Sequence, residues 1–317
     1  MCRLFSILLL CLISVAVVAG QAVAEQNEVL KIAVISDLNG SYGSEKYHKT
    51  IPEAITRIIE INPDLVISTG DMIAGQRSKP LLKRNQLESM WAAFHHHVSN
   101  PLADAQLPFV ITAGNHDGSA GKKFSLERQI YQQQWNKRQP DLEFIDNTHY
   151  PFYYAFALKN ILFVSLDATM IGHLPAEQKE WLSKLLTDAE GHYRHKVIYS
   201  HLPLWPFTQN RETEILGDQE LEDILKEHHV KLYLSGHHHA FYPGFKDDIN
   251  YVSQACMGSG LYKYIGTDQQ SARGFTLITI DSNDKITINA YKAADFTQPV
   301  DFKTLPERIK SRYAALV

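Results

Sequence analysis

Residues 32–41 read IAVISDLNGS, an apolar run that stops at Asp37 and Asn39. Asp, Asn and Gly all favour tight turns, so this stretch alone reads as a strand running into a turn. The rest of the chain decides whether the two polar side chains do more. Strand-like runs recur at 29–36 (VLKIAVIS), 64–69 (DLVIST), 108–113 (PFVITA), 153–158 (YYAFAL), 161–167 (ILFVSLD), 196–201 (KVIYSH) and 230–236 (VKLYLSG). Helical patterns separate several of them, as at 51–61 (IPEAITRIIEI), 81–98 (LLKRNQLESMWAAFHHHV), 176–186 (AEQKEWLSKLL) and 218–228 (DQELEDILKEH). Several strands are apolar throughout and rich in Val and Ile, the mark of sheets covered on both faces. Toward the end, 249–255 (INYVSQA), 275–281 (FTLITID) and 285–291 (KITINAY) follow one another without helices, which predicts antiparallel additions. The packing that suits this order is an α/β fold of two sheets with helices outside.

The polar residues fall at the strand tips. These tips are SDLNG (Asp37, Asn39), STGDMIAG (Asp71), TAGNHDG (Asn115, His116, Asp117), YSHLPLW (His201) and SGHHHAF (His237, His239). In α/β folds the carboxyl ends of parallel strands share one edge, where ligands bind. One such tip is a turn; five rich in Asp, Asn and His make a site. Carboxylate, imidazole and amide donors without Cys suit divalent Mn, Fe, Zn, Ni or Co. A carboxylate shared by two ions sets them about 3.5–4 Å apart, able to clamp both oxygens of an in-line displacement. Gly70, Gly114 and Gly236 beside these residues are expected to permit sharp strand-to-loop turns.

In order along the chain, D-x-N, G-D-x-x-x-G, G-N-H-D, a strand-ending His and G-H-x-H resemble the motifs of the calcineurin-like metallophosphoesterase superfamily, from Lys31 to about His239. The resemblance implies a two-sheet α-β-β-α sandwich with a dinuclear centre. It implies that Asp71 bridges two ions, that Asp37 and His239 hold the first, and that Asn115, His201 and His237 complete the second. Asn39 stands where the family has His; an amide oxygen is neutral and a weaker donor than imidazole. His116 would be no ligand but would stabilise the transition state or protonate the leaving oxygen, with Asp117 orienting its ring. The purple acid phosphatases are similar in the 153–167 segment, but their metal-binding Tyr would fall at Ala74, so no ferric tyrosinate is expected.

The bulk properties bound the rest. Residues 1–24 carry one charge, Arg3, then an apolar run that ends at Ala22-Val23-Ala24, the pattern of a signal peptide cut after Ala24. The expected product, residues 25–317, is a single domain of roughly 290 residues with a strand-rich C-terminal part. Losing Arg3 takes 31 basic residues to 30 against 35 acidic ones, and the net charge from −4 to −5. That balance opposes long nucleic acid as a partner. One cysteine, Cys256, remains, so no internal disulfide forms despite export; nothing after the leader is apolar and long enough to span a membrane. The expected function is a phosphomonoesterase or phosphodiesterase acting on a small phosphorylated substrate, exported to the periplasm or secreted. Its alternatives are a nuclease and a degenerate ligand-binding protein without turnover.

Other residues have plainer readings. His95, His96 and His97 fan around a helix and read as a partly exposed tract, and His228 and His229 as helix C-terminal residues. His48 and His238 could supplement the first ion but read as structural. His149, Tyr150 and Trp205 are loop candidates for bordering the cleft, Tyr262 and Arg273 read as surface residues, and Cys256 as a buried, inert thiol.

Overall fold

A computed structural model describes residues 28–317. The expected leader lies outside the described residues. The elements run β1 Leu30–Ile35, α1 Thr50–Ile61, β2 Leu65–Ser68, α2 Arg84–Phe94, α3 Asn100–Asp104, β3 Phe109–Ile111, α4 Asn115–Gly118, α5 Ser125–Asn136, β4 Glu143–His149, β5 Tyr153–Leu158 and β6 Ile161–Ser165. There follow α6 Ala176–Asp188, β7 His195–Ser200, α7 Gln219–Glu227, β8 Leu232–Ser235, β9 Tyr242–Lys246, β10 Ile249–Ser253, β11 Gly274–Ile280, β12 Ile286–Lys292, β13 Ile309–Lys310 and β14 Ala315–Leu316. They build a five-stranded sheet, β12-β11-β1-β2-β3, and a seven-stranded sheet, β4-β5-β6-β7-β8-β10-β9. Strands β1, β2 and β3 are parallel, as are β6, β7 and β8; of the three late strands expected to add antiparallel, β11 and β12 do, whereas β10 runs parallel to β8 and antiparallel only to β9.

Side-chain alternation divides the core in two. In the larger sheet Phe156, Phe163, Val197, Tyr199, Leu232 and Leu234 face the first sheet and join a cluster with Ile32, Val34, Val66 and Val110. Their neighbours Ala155, Leu162, Val164, Ile198 and Tyr233 face the other way and pack under α6 and α7, against Leu182, Leu186, Leu221 and Leu225. Period-2 alternation with both faces apolar produces this arrangement. Helix α1 buries Ile51, Ala54, Ile55 and Ile58 at helical spacing and stops at Asn62, whose φ of 51° breaks the helix. Helix α7 starts where the Asp218 carboxylate accepts the Leu221 amide at 3.2 Å. Polar contacts tie the sheets near the catalytic-looking edge: Thr112 Oγ1 donates to Leu166 O at 2.8 Å, and Ile111 N donates to Tyr154 Oη at 3.1 Å.

Several expectations need correction. Strands β4 and β9 lack a sequence signal and lie at the two ends of the larger sheet, where the outer side of β9 bonds, among the described residues, only to the Val317 backbone, at Phe245. Consequently β4 (EFIDNTH) carries few apolar residues and β9 (YPGFK) admits Pro243 and Gly244. His149 therefore ends a strand, stacked on Tyr153 with ring centroids 4.2 Å apart. The His95–Ser99 segment is a π-helical turn in which His95 is buried, bonded to Ser99 and Gln134 and stacked on Trp91. Trp205 is also buried, its indole N–H held by Glu222. Phe156 and Phe163 stack almost in parallel at 4.9 Å in the inter-sheet core, both fully buried. Phe163→Ala is expected to lower the unfolding free energy by about 3–5 kcal/mol, a cavity cost read from urea denaturation.

Candidate metal centre

The carboxyl ends of β1, β2, β3, β7 and β8 deliver Asp37, Asp71, Asn115, His201 and the pair His237 and His239 to one edge. Backbone bonds weld the first two tips together: Asp37 N donates to Gly70 O at 3.1 Å and Leu38 N to Asp71 O at 2.9 Å. Four of these residues sit in the left-handed region: Asp37 (φ 50°), Asp71 (56°), His237 (63°) and His239 (52°). Non-glycine residues there cost about 1–3 kcal/mol each, strain of the kind found at functional sites. Gly70, at φ 98°, makes the sharp turn expected of it, while Gly114 and Gly236 have a different task. A Cβ on Gly114 would lie 2.1 Å from Asp71 N, and one on Gly236 2.2 Å from Ser36 Oγ. Their missing side chains admit close approach between tips, while the ligand residues themselves make most of the sharp turns.

Hydrogen bonding assigns each imidazole an outward proton. His201 Nδ1 donates to Thr69 O at 2.8 Å and His239 Nδ1 to Gly260 O at 2.7 Å, since a carbonyl can only accept. His237 Nε2 lies 3.1 Å from the Glu214 carboxylate, and Asn115 Nδ2 donates to Gln76 Oε1 at 2.8 Å. With the imidazoles neutral, the inward atoms are then lone pairs facing lone pairs. His201 Nε2 lies 2.8 Å from Asn115 Oδ1, 3.3 Å from Asp71 Oδ1 and 3.3 Å from His237 Nδ1. His239 Nε2 lies 3.1 Å from Asp37 Oδ1, an oxygen buried without a hydrogen bond. Asp71, His201 and His237 each offer a ligand atom within 4.8 Å of the others. Acceptors gathered around common points, with two buried carboxylates among them, call for positive charge and fit cations.

The electrostatics agree. Burial opposes ionisation of Asp37, but His239 outweighs it and lowers the pKa. Burial likewise opposes charge on Asp71, yet His201 and His116 hold its carboxyl well below the usual range. Burial also opposes a charged His201, but Asp71 raises it to about 9. The buried carboxylates thus draw positive charge toward this edge. His237 is pushed well below the imidazole range by burial and by His201, and stands neutral as a ligand must.

His116 opens α4 beside this cluster. Its Nδ1 lies 3.1 Å from Gly75 O, which fixes that nitrogen as the donor and turns Nε2 toward Asp71 Oδ2, 3.8 Å away. Asp117 does not orient this ring, contrary to the expectation. Its carboxylate accepts from Met72 N at 2.7 Å and Gly114 N at 2.6 Å, pinning the β2 and β3 tips together. Burial, then the nearby Asp71, raise its pKa to about 7. Asn39 is held by a later loop: its side-chain oxygen and its backbone carbonyl both face Ser259 Oγ, and Arg273 in turn holds Ser259 O at 2.8 Å. No hydrogen bond among the described residues joins the Asn39 side chain to Asp37, Asp71 or His239.

His48 Nδ1 is engaged by Thr50 at the start of α1, and His238 is occupied by Phe207 N and Glu214 O, which are structural contacts. Cys256 is buried as read, with its thiol pushed up to about 12 by burial first and Asp37 second. Tyr262, read as a surface residue, instead packs against His239 with centroids 5.0 Å apart. The Arg211 guanidinium covers Tyr262 at 4.4 Å and donates to His237 O at 2.6 Å. Glu214, Arg211, Gln76 and Gly75 were invisible in the sequence, because only the folded loops bring them to the tips. Glu214→Ala is expected to weaken retention of an ion at His237 by roughly 10–100-fold, with Glu214→Gln between it and wild type. Metal content after dialysis against graded chelator measures this, and equal retention in all three proteins refutes the role given to Glu214.

Comparison with known proteins places this geometry among relatives. The family model for calcineurin-like phosphoesterase matches residues 30–241. Serine/threonine-protein phosphatase CPPED1 of Rattus norvegicus is 25% identical over 175 residues, 51% of this chain and 51% of that protein. The Mus musculus protein of the same name is 22% identical over 273 residues, 81% of this chain and 78% of that protein. The match thus spans about half the length of the rat relative. The solved structure of purple acid phosphatase PPD1 from Lupinus luteus superposes with a TM-score of 0.66 at 17% identity, covering 87% of this chain and 53% of that one. That likeness extends to the two-sheet α/β fold.

Proposed function

The chain belongs to the calcineurin-like phosphoesterase family, and on that premise we propose that it is a metal-dependent phosphoesterase hydrolysing small phosphomonoesters or phosphodiesters. The observation that carries this reading is the cluster of carboxylate, amide and imidazole ligand atoms at five strand ends, with His116 Nε2 turned toward it. Asp37, Asp71 and His239 suit one divalent ion; Asp71, Asn115, His201 and His237 suit a second. The chemistry such a pair supplies when bound is Lewis acidity toward phosphoryl oxygens and water acidified toward neutral pH. Asn39 is the natural further donor to the first position, with an amide oxygen already shared with Ser259.

The side chains divide the remaining work. Gly75 O keeps Nδ1 of His116 protonated, so the proton that moves is the one on Nε2 of the imidazolium. That proton passes to the leaving ester oxygen as the phosphorus–oxygen bond breaks. Asp117 holds the loops that carry Asp71 and His116 at fixed spacing through its two backbone contacts. The excess of acidic residues weighs against nuclease action on long polynucleotides.

Residues 1–24 support export to the periplasm or outside the cell, with residues 25–317 forming one catalytic domain. No described helix is long and apolar enough to cross a membrane.

Three measurements test the reading. The manganese-loaded protein should hold about two ions per chain and hydrolyse para-nitrophenyl phosphate or its bis ester, and a strong chelator should stop turnover. A fully loaded sample with fewer than two ions removes the dinuclear mechanism. Asp71→Asn should abolish turnover and loosen both ions together, since a neutral amide does not balance two dications. His116→Asn should keep its metal and lose about 10²–10⁴-fold in kcat; loss of metal there would show His116 to be a ligand.

A further inference from the structure

Tyr42 lies in the loop that leaves Asn39, and its ring sits against the His116 imidazole with centroids 5.2 Å apart and planes inclined by 34°. It is 59% exposed. Single exposed aromatics are ordinary on protein surfaces; this one differs in what it touches and in how it is held. Gly43 N donates to Ala74 O at 2.6 Å, and the next carbonyl, Gly75 O, holds His116 Nδ1. One short backbone segment therefore sets the position of both rings.

The direction of departure follows from this geometry. His116 Nε2 faces Asp71, which is almost fully buried, so a leaving group on an oxygen at Nε2 has no room on the Asp71 side. It must extend outward along the exposed part of the imidazole, and the surface flanking that exit is the Tyr42 ring. A rigid aromatic wall gains little from a small aliphatic group beyond contact area. An aromatic group gains the additional attraction of offset stacking.

We propose that Tyr42 is a specificity-determining residue that forms the wall of the leaving-group subsite and selects phosphate esters whose leaving group is an aromatic ring. The inference rests on the phosphoesterase reading and on His116 as proton donor at the leaving oxygen. It makes aryl phosphates the preferred substrate class over esters of short aliphatic alcohols.

Phenylphosphonate and ethylphosphonate test it without turnover, because their phosphorus–carbon bonds are not hydrolysed at such a centre. Affinities for the manganese-loaded full chain, measured by calorimetry, give a phenyl-over-ethyl ratio for wild type, Tyr42→Ala and Tyr42→Phe. The ratio should favour phenyl in wild type, fall roughly 3- to 10-fold in Tyr42→Ala and survive in Tyr42→Phe. If both phosphonates bind but the ratio is the same in wild type and Tyr42→Ala, the inference is overturned while the phosphoesterase reading stands. Failure of wild type to bind either phosphonate or to hydrolyse either nitrophenyl ester overturns both.

Discussion

The structure depends on a concentration of buried hydrogen-bond acceptors at the carboxyl edge of two sheets. Asp37 and Asp71 are held there as carboxylates, and the outward nitrogens of three imidazoles are committed to Thr69 O, Gly260 O and Glu214. With neutral imidazoles each inward atom offers a lone pair, and a positive charge balances the two buried carboxylates there as neutral groups do not. Much of the nearby architecture maintains this condition. Gly114 and Gly236 give up side chains so that the tips approach closely, and Asp117 accepts two backbone amides that would otherwise be unpaired between β2 and β3.

Left-handed backbone at Asp37, Asp71, His237 and His239 belongs to the same condition. Glycine would adopt those angles at less cost, so the carboxylates and imidazoles sit there in spite of the backbone. The stable parts of the fold carry that strain. Two apolar layers, one between the sheets and one under α6 and α7, bury aromatic and branched side chains and hold the strand ends rigidly. A rigid frame with a strained edge lets side chains distant in sequence meet within hydrogen-bond distance.

Around the centre lies a ring of loops whose residues act through contacts rather than through motif membership. Glu214 and Arg211 secure His237, Tyr262 packs on His239, Ser259 occupies Asn39, and Gly75 sets the tautomer of His116. These loops are the parts in which two members of one family can share a centre and differ in what they admit. The Asn39–Ser259–Arg273 chain lies in one such loop and draws the Asn39 side-chain oxygen into the protein's own hydrogen bonding.

The strands, their two-sided burial and the candidate ligands were legible in the sequence because they are local. An apolar run with a polar tip marks a strand end wherever that strand later packs, and an ordered series of Asp, Asn and His tips marks a centre. The edge strands β4 and β9 were not legible, since an edge relaxes the demand for apolar residues and tolerates Pro243. Nor were the partners of the candidate site residues: Asn39 and Ser259 are 220 residues apart, and His116 and Gly75 41 apart. Asp117 shows the limit within a motif. Its neighbour His116 is adjacent in sequence, yet the helical turn of α4 sends the Asp117 carboxylate to Met72 and Gly114 instead. The sequence by itself determined which donors stand at the strand ends, because that follows from residue type and short-range periodicity. Tertiary structure alone decided which atom of each donor faces inward, because that orientation is imposed by hydrogen bonds to groups remote along the chain.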